Sequence, residues 1–271
     1  MRSVALISLL TLLVGCGAPA APSLKGGGTF APPRLLAIDE GDYYKDAAGL
    51  QGKALISALH RIIAPHKDLG YANSRDILFA AIADPDEDDR VPELYTGNEL
   101  AGIRDRRTAY DRGMNTEHTW PQSLGAVGAA QADLHHLRPA DIKINGSRGS
   151  YPYGEVVGKE LASYPGLDGT SRLGYSAAKS MVFEPRPTVR GDIARGLLYF
   201  YTCYWVDSGV AGVPRPALRN FNLETVYLLK WSQADPPDAE ERGRNAAIFK
   251  VQGNRNPFID HPEWAEAVIA Q

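Results

Sequence analysis

Two cysteines, Cys16 and Cys203, are all that this 271-residue sequence contains. One lies at the end of a leader-like run and the other inside an apolar stretch, so a disulfide framework is excluded, as is a zinc site built on four thiolates. An excess of positive charge is also missing. There are 29 Lys and Arg against 32 Asp and Glu, a net −3, and removing the leader's Arg2 takes one from that, leaving −4. A binder that holds a polyanion by bulk charge is therefore excluded, and any affinity for nucleic acid must come from a local cationic cleft. No apolar run approaches the roughly 20 residues that cross a bilayer, and no repeat is visible. The 44% hydrophobic content suffices for a sizeable core, and one compact catalytic domain is expected over residues 35–271.

The longest apolar run, Val4 to Val14 behind Arg2, has the shape of an export signal. It ends in Leu13-Val14-Gly15-Cys16, which reads as a lipobox. Cleavage before Cys16 and acylation there would make residues 1–15 a signal peptide and tether the protein to a membrane, the outer membrane given Gly17 at the next position. Ordinary secretion, with cleavage near Ala18-Pro19-Ala20, is the alternative. Residues 16–34, rich in Gly, Ala and Pro, read as a disordered tether.

Chemistry concentrates in Glu117-His118, in Asp133-Leu134-His135-His136-Leu137-Arg138-Pro139, and in Asn145-Gly146-Ser147-Arg148. Pro121 ends regular backbone pairing just after His118 and so places it at a strand end, where active residues tend to sit. The spacing predicts a strand carrying Glu117-His118, a loop, a strand through Leu134–Arg138, and a short helix from Asp141 that bears Asn145. Glu117 and Asn145 offer hard oxygen ligands suited to Mg²⁺, with Mn²⁺ or Ca²⁺ as alternatives. Zinc would want more Cys or His. An imidazole with an ordinary pKa near 6.5 can act as a base at neutral pH.

These residues resemble the endonuclease I family of bacterial periplasmic and extracellular nucleases, within the ββα-metal or His-Me finger group. The likeness rests on Glu-His-x-Trp-Pro at 117–121, Asp-Leu-His-His-Leu at 133–137 and Asn-Gly-x-Arg at 145–148, and it extends through Leu94-Tyr95-Thr96-Gly97, Phe183-Glu184-Pro185 and Gln252-Gly253-Asn254-Arg255-Asn256-Pro257. The resemblance implies His118 as general base, Glu117 and Asn145 as ligands of one divalent metal, and 5′-phosphate products from DNA and RNA. It implies an α+β fold, mostly helical, around a small antiparallel ββα-metal core. Members of the family can carry an arginine for the scissile phosphate in the loop after the Glu-His pair, but residues 119–132 here contain no cation. Arg148, three positions after Asn145 on the same helical face, is the first candidate to supply that charge, and Arg138 the second. A solvated surface arginine is the plain alternative for each.

Asp133 and His135 would share a strand face and brace the loop behind His118 by hydrogen bonding. Glu184, Arg190 and Arg195 read as scaffold. Leu50, Leu55, Leu59, Ile62 and Ile63 form a helical stripe, Ser74 would cap a second helix, and Asp192 would cap a third. Pro237 and Gly253 bracket residues 238–252 as a helix. A nucleic acid partner and a monomeric state are expected. A phosphoesterase of small nucleotides and a noncatalytic DNA-binding surface protein are the competing functions.

Overall fold

The computed structural model describes residues 43–83, 89–204 and 225–269. The leader, Cys16 and the tether lie outside the described residues, as does most of the acidic loop after Ala83. The described residues belong to one compact unit, residues 38–271. Among them no helix is long and apolar enough to cross a membrane.

The architecture mixes helices with three small antiparallel sheets. Helix α1 (Gly52–Ile63) and helix α2 (Tyr71–Ile77, continuing into a wider turn over Leu78–Ile82) come first. A hairpin of β1 (Arg90–Pro92) and β2 (Glu99–Ala101) follows, then α3 (Arg106–Asp111). Strand β3 (Met114–His118) pairs antiparallel with β4 (Leu137–Asp141), and β4 runs directly into α4 (Ile142–Arg148). Strands β5 (Glu160–Gly166), β6 (Gly169–Tyr175) and β7 (Met181–Glu184) make a three-stranded meander. Helices α5 (Arg190–Tyr204), α6 (Thr225–Ala234), α7 (Ala239–Gln252), α8 (Pro257–Asp260) and α9 (Trp264–Ile269) close the chain.

The stripe read from the sequence is the buried side of α1, with Leu55, Leu59 and Ile63 inside, although Leu50 precedes the helix and is exposed. Helix α5 is buried on nearly every side, and its one fully buried charge, Arg195, is paired with Glu241. It packs against α1 and α6. Helix α7 starts and stops where its sequence signals stand. Asp238 accepts from the Glu241 N–H at its start, and Gly253 takes a left-handed φ of 90° at its end.

Three local expectations are corrected. The second strand begins at Leu137, not Leu134, because the Asp133 carboxylate accepts the His135 N–H at 2.9 Å and folds 133–136 into a turn. Ser74 is buried inside α2, whose first residue follows Gly70. Asp192 lies in the first turn of a helix that begins at Arg190.

The β3–β4–α4 unit stands between two apolar clusters. Trp120, Ala140 and Ile144 join the one centred on α1, α5 and α6. Met114, Leu134 and Leu137 join the other, with Leu78, Phe79, Ile82 and Ile248. Each buried Leu, Ile, Phe or Met among them contributes about 1.5–3 kcal/mol, so the strand pair is held from both sides.

Candidate active site

His118 is the last residue of β3. The residue is 7% exposed, and its Nε2 lies 3.2 Å from the Gln131 carbonyl oxygen. A carbonyl can only accept, so Nε2 carries the proton and Nδ1 keeps its lone pair. The amide nitrogen of Gln122, on an exposed turn, stands 3.4 Å from Nδ1. Burial, the neighbouring His136, Arg148 and Arg75 lower the His118 pKa from 6.5 to about 3, which keeps the imidazole neutral. The rings of Tyr71 and His136 each lie 5.4 Å away, centroid to centroid.

One position earlier, Glu117 is fully buried on the other side of β3. Its Oε1 receives Arg148 at 2.9 Å and the Tyr153 hydroxyl at 3.1 Å. Burial raises its pKa, and Arg148 opposes the shift.

Helix α4 is started by Asp141, whose Oδ1 accepts the Lys143 and Ile144 N–H groups. The helix presents Asn145 and Arg148 to β3. The Asn145 amide nitrogen donates to Asn115 Oδ1 at 2.9 Å, and Asn115 shares a strand face with Glu117. With its nitrogen held there, Asn145 Oδ1 receives no donor among the described residues. A buried carboxylate and an amide oxygen left open on the same face of β3 are two hard donors, which fits a small hard cation that keeps most of its waters.

The two arginines are both engaged. Arg148 is 2% exposed. Besides Glu117 it donates to the carbonyls of His118, Thr119 and Gly149 and lies over the Tyr153 ring. Arg138 pairs with Asp192 at 3.4 Å and lines a cleft with Glu93 and Arg244 on which neither His118 nor Asn145 borders. The structure thus gathers Glu117, Asn145 and Arg148 at one face of β3, puts His118 at its end, and turns Arg138 elsewhere.

Behind His118 the turn 133–136 is locked in place. Asp133 accepts from Tyr199 and Tyr204 at 2.7 Å and from Gln252 at 2.8 Å. These donors and nearby histidines hold its carboxyl well below the usual range against burial. His135 Nε2 donates to the Asn254 carbonyl and His136 Nε2 to that of Ala130. The Nδ1 atoms of both histidines are buried and meet no hydrogen-bond partner among the described residues. His66, Asp133 and Cys203 have ligand atoms within 4.8 Å of one another. The Cys203 thiol points to the Ile63 carbonyl, and burial raises its pKa. Glu184 is scaffold, holding Arg172 and Arg190 at 2.6 Å each.

The profile of the family described as Endonuclease I matches residues 51–263. The chain belongs to the endonuclease I family. It is 38% identical to an extracellular ribonuclease of Bacillus amyloliquefaciens, over 92% of this chain and 86% of that protein. A Bacillus subtilis (strain 168) extracellular ribonuclease is 36% identical over 89% and 82%. A periplasmic deoxyribonuclease of Aeromonas hydrophila is 32% identical over 48% of each chain. Two residues of the site had weak sequence signals. Gln122 and Gln131 look like solvated loop glutamines, and only the fold brings them to the His118 ring.

Proposed function

We propose that this member of the endonuclease I family is a divalent-metal-dependent, sequence-nonspecific endonuclease that hydrolyses RNA and DNA to 5′-phosphate ends. The observation that carries the reading is the fixed tautomer of His118, with Nε2 bound to a carbonyl and Nδ1 kept basic beside an exposed polar side chain. β3, β4 and α4 serve as the family's ββα-metal core. RNA stands first among substrates because the relatives matched over nearly their whole length are named ribonucleases.

In this mechanism His118 Nδ1 takes the proton of the attacking water, in the place where the Gln122 amide now stands. As the imidazolium forms, the Gln131 carbonyl accepts a stronger bond from Nε2. An imidazole of pKa about 3 is a weak base, but a phosphodiester anion placed beside it favours the protonated form and raises its basicity in the complex. Glu117 and Asn145 would hold Mg²⁺, with Mn²⁺ or Ca²⁺ as alternatives. When bound, the cation supplies a Lewis acid for a non-bridging oxygen and for the leaving 3′ oxygen. Arg148 fixes the Glu117 carboxylate and the backbone of residues 118–119, so that ligand and base keep their spacing. Through Cys16 the protein would be an exported lipoprotein that works outside the cytoplasm.

The test is incubation of the full chain with RNA, plasmid and a mononucleotide, with Mg²⁺ or with EDTA. Metal-dependent loss of polymer with 5′-phosphate ends, and an intact mononucleotide, is expected. Cleavage indifferent to EDTA would contradict the metal, and release of phosphate from the mononucleotide alone would point to a small-nucleotide phosphoesterase.

A further inference from the structure

The loop from Thr119 to Ala132 carries no cation, and the two arginines that follow it, Arg138 and Arg148, are engaged with carboxylates. A third arginine, 43 positions before His118 in the chain, is placed differently. Arg75 stands on α2, which packs against the 128–132 turn that supplies the Gln131 carbonyl to His118 Nε2. Its guanidinium lies over the Tyr71 ring, 4.2 Å from the centroid, and the Tyr71 ring is 5.4 Å from that of His118. The Tyr71 ring therefore neighbours both the cation and the base.

Unlike Arg148, Arg75 has no ion pair among the described residues, and its Nε is buried without a hydrogen-bond partner. Leaving a buried donor unmade costs about 1–3 kcal/mol, more for a charged group. Stacking on an aromatic face recovers part of that and fixes the plane of the guanidinium. Among the described residues the group meets no anion with two oxygens, and a phosphodiester provides one.

We propose that Arg75 binds the non-bridging oxygens of the phosphodiester attacked from the His118 side, replacing the cation that the 119–132 loop does not carry, with Tyr71 as its platform. This rests on the nuclease reading. Arg75 then contributes most when charge on phosphorus peaks. The loss of one such donor costs about 10²–10³ in kcat, and one phosphate contact adds about 0.7 to the slope of log affinity against log salt on a single strand.

The experiment measures cleavage of a single-stranded RNA oligonucleotide by the full chain in Mg²⁺, with Arg75→Ala, Arg75→Lys and wild type, and binding of the same oligonucleotide in EDTA across a salt series. Arg75→Ala should lose about 10²–10³ in kcat/KM and recover part of it on adding guanidinium ion. Arg75→Lys should fall between the two, since it keeps the charge without the fork. The salt slope should drop by about 0.7 in Arg75→Ala. If wild type cleaves and Arg75→Ala cleaves as fast, the assignment of Arg75 is overturned while the nuclease reading stands. A loss that neither Lys nor guanidinium relieves, with an unchanged salt slope, overturns it too by making the role structural. Where Arg75→Ala fails to fold, Arg75→Lys decides, and wild-type kcat/KM in it rejects the proposal. A wild type that cleaves nothing removes both readings.

Discussion

The Nε2 atom of His118 sits 3.2 Å from the backbone carbonyl oxygen of Gln131, across a loop of twelve intervening residues. That contact decides which ring nitrogen is basic, and the first expectation follows from it. Because burial lowers the His118 pKa to about 3, the free enzyme carries a neutral base throughout the physiological range. The acid limb of kcat/KM, which reports the free enzyme, should lie well below pH 6.5. A limb centred at 6.5 in a kcat/KM profile would show that His118 is not held as described.

Stability should respond to acid in a related way. His118, His135 and His136 have folded pKa values lowered to about 3, 4 and 4 against about 6.5 unfolded. A base whose folded pKa is depressed stabilises the fold above its unfolded pKa and loses that contribution as pH falls. Glu117 and Glu241, pushed up by burial, act in the opposite direction, but Arg148 and Arg195 restrain them and they are fewer. Urea midpoints should therefore fall steadily from pH 7 to pH 4.5, by about 3 kcal/mol in unfolding free energy. A flat profile across that window would contradict neutral burial of the three rings.

Removing Arg148 should be costly to the fold. Arg148→Ala leaves the Glu117 carboxylate buried without its cation, and breaking such a pair typically costs about 3–5 kcal/mol. Denaturant melts of Arg148→Ala measure this. A loss below about 1 kcal/mol, as an exposed pair would give, would mean that Arg148 is not the clamp on Glu117.

Asn145→Ala and Glu117→Gln should both weaken binding of the cation, and Glu117→Gln should in addition cost the fold, because it leaves the buried Arg148 without its carboxylate. Titration of Mg²⁺ into the cleavage reaction should shift to higher half-saturation by about 10-fold or more, on the scale of losses at metal sites. Isothermal titration with Mn²⁺ checks the same affinity without turnover. An unchanged affinity in both variants would remove them as ligands.

Much of this site was legible because its signals are local. Pro121 marked the end of the strand that carries His118, Asp141 marked the start of the helix that carries Asn145, and Pro237 with Gly253 bracketed α7. The misread strand start at 134 came from Asp133, whose side chain competes with the ladder for the His135 N–H. Ser74 resembled a cap because its type favours caps, but tertiary burial decided its place. The partners of Arg148 and Arg138 were invisible for another reason. Glu117 lies 31 positions from Arg148 and Asp192 lies 54 from Arg138, and only the completed packing of α4 on β3 and of α5 beside β4 chooses between a carboxylate and solvent. Tyr71 and Arg75 carry no motif at all, and their relation to His118 exists only in the fold.

The most direct measurement compares wild type with His118→Ala in Mg²⁺, following cleavage of RNA and of plasmid under single-turnover conditions and binding of the same RNA in EDTA. General-base catalysis is worth typically about 10²–10⁴-fold, so His118→Ala should lose at least that much rate while binding RNA as tightly and melting as wild type does. Cleavage by His118→Ala at the wild-type rate would contradict the account.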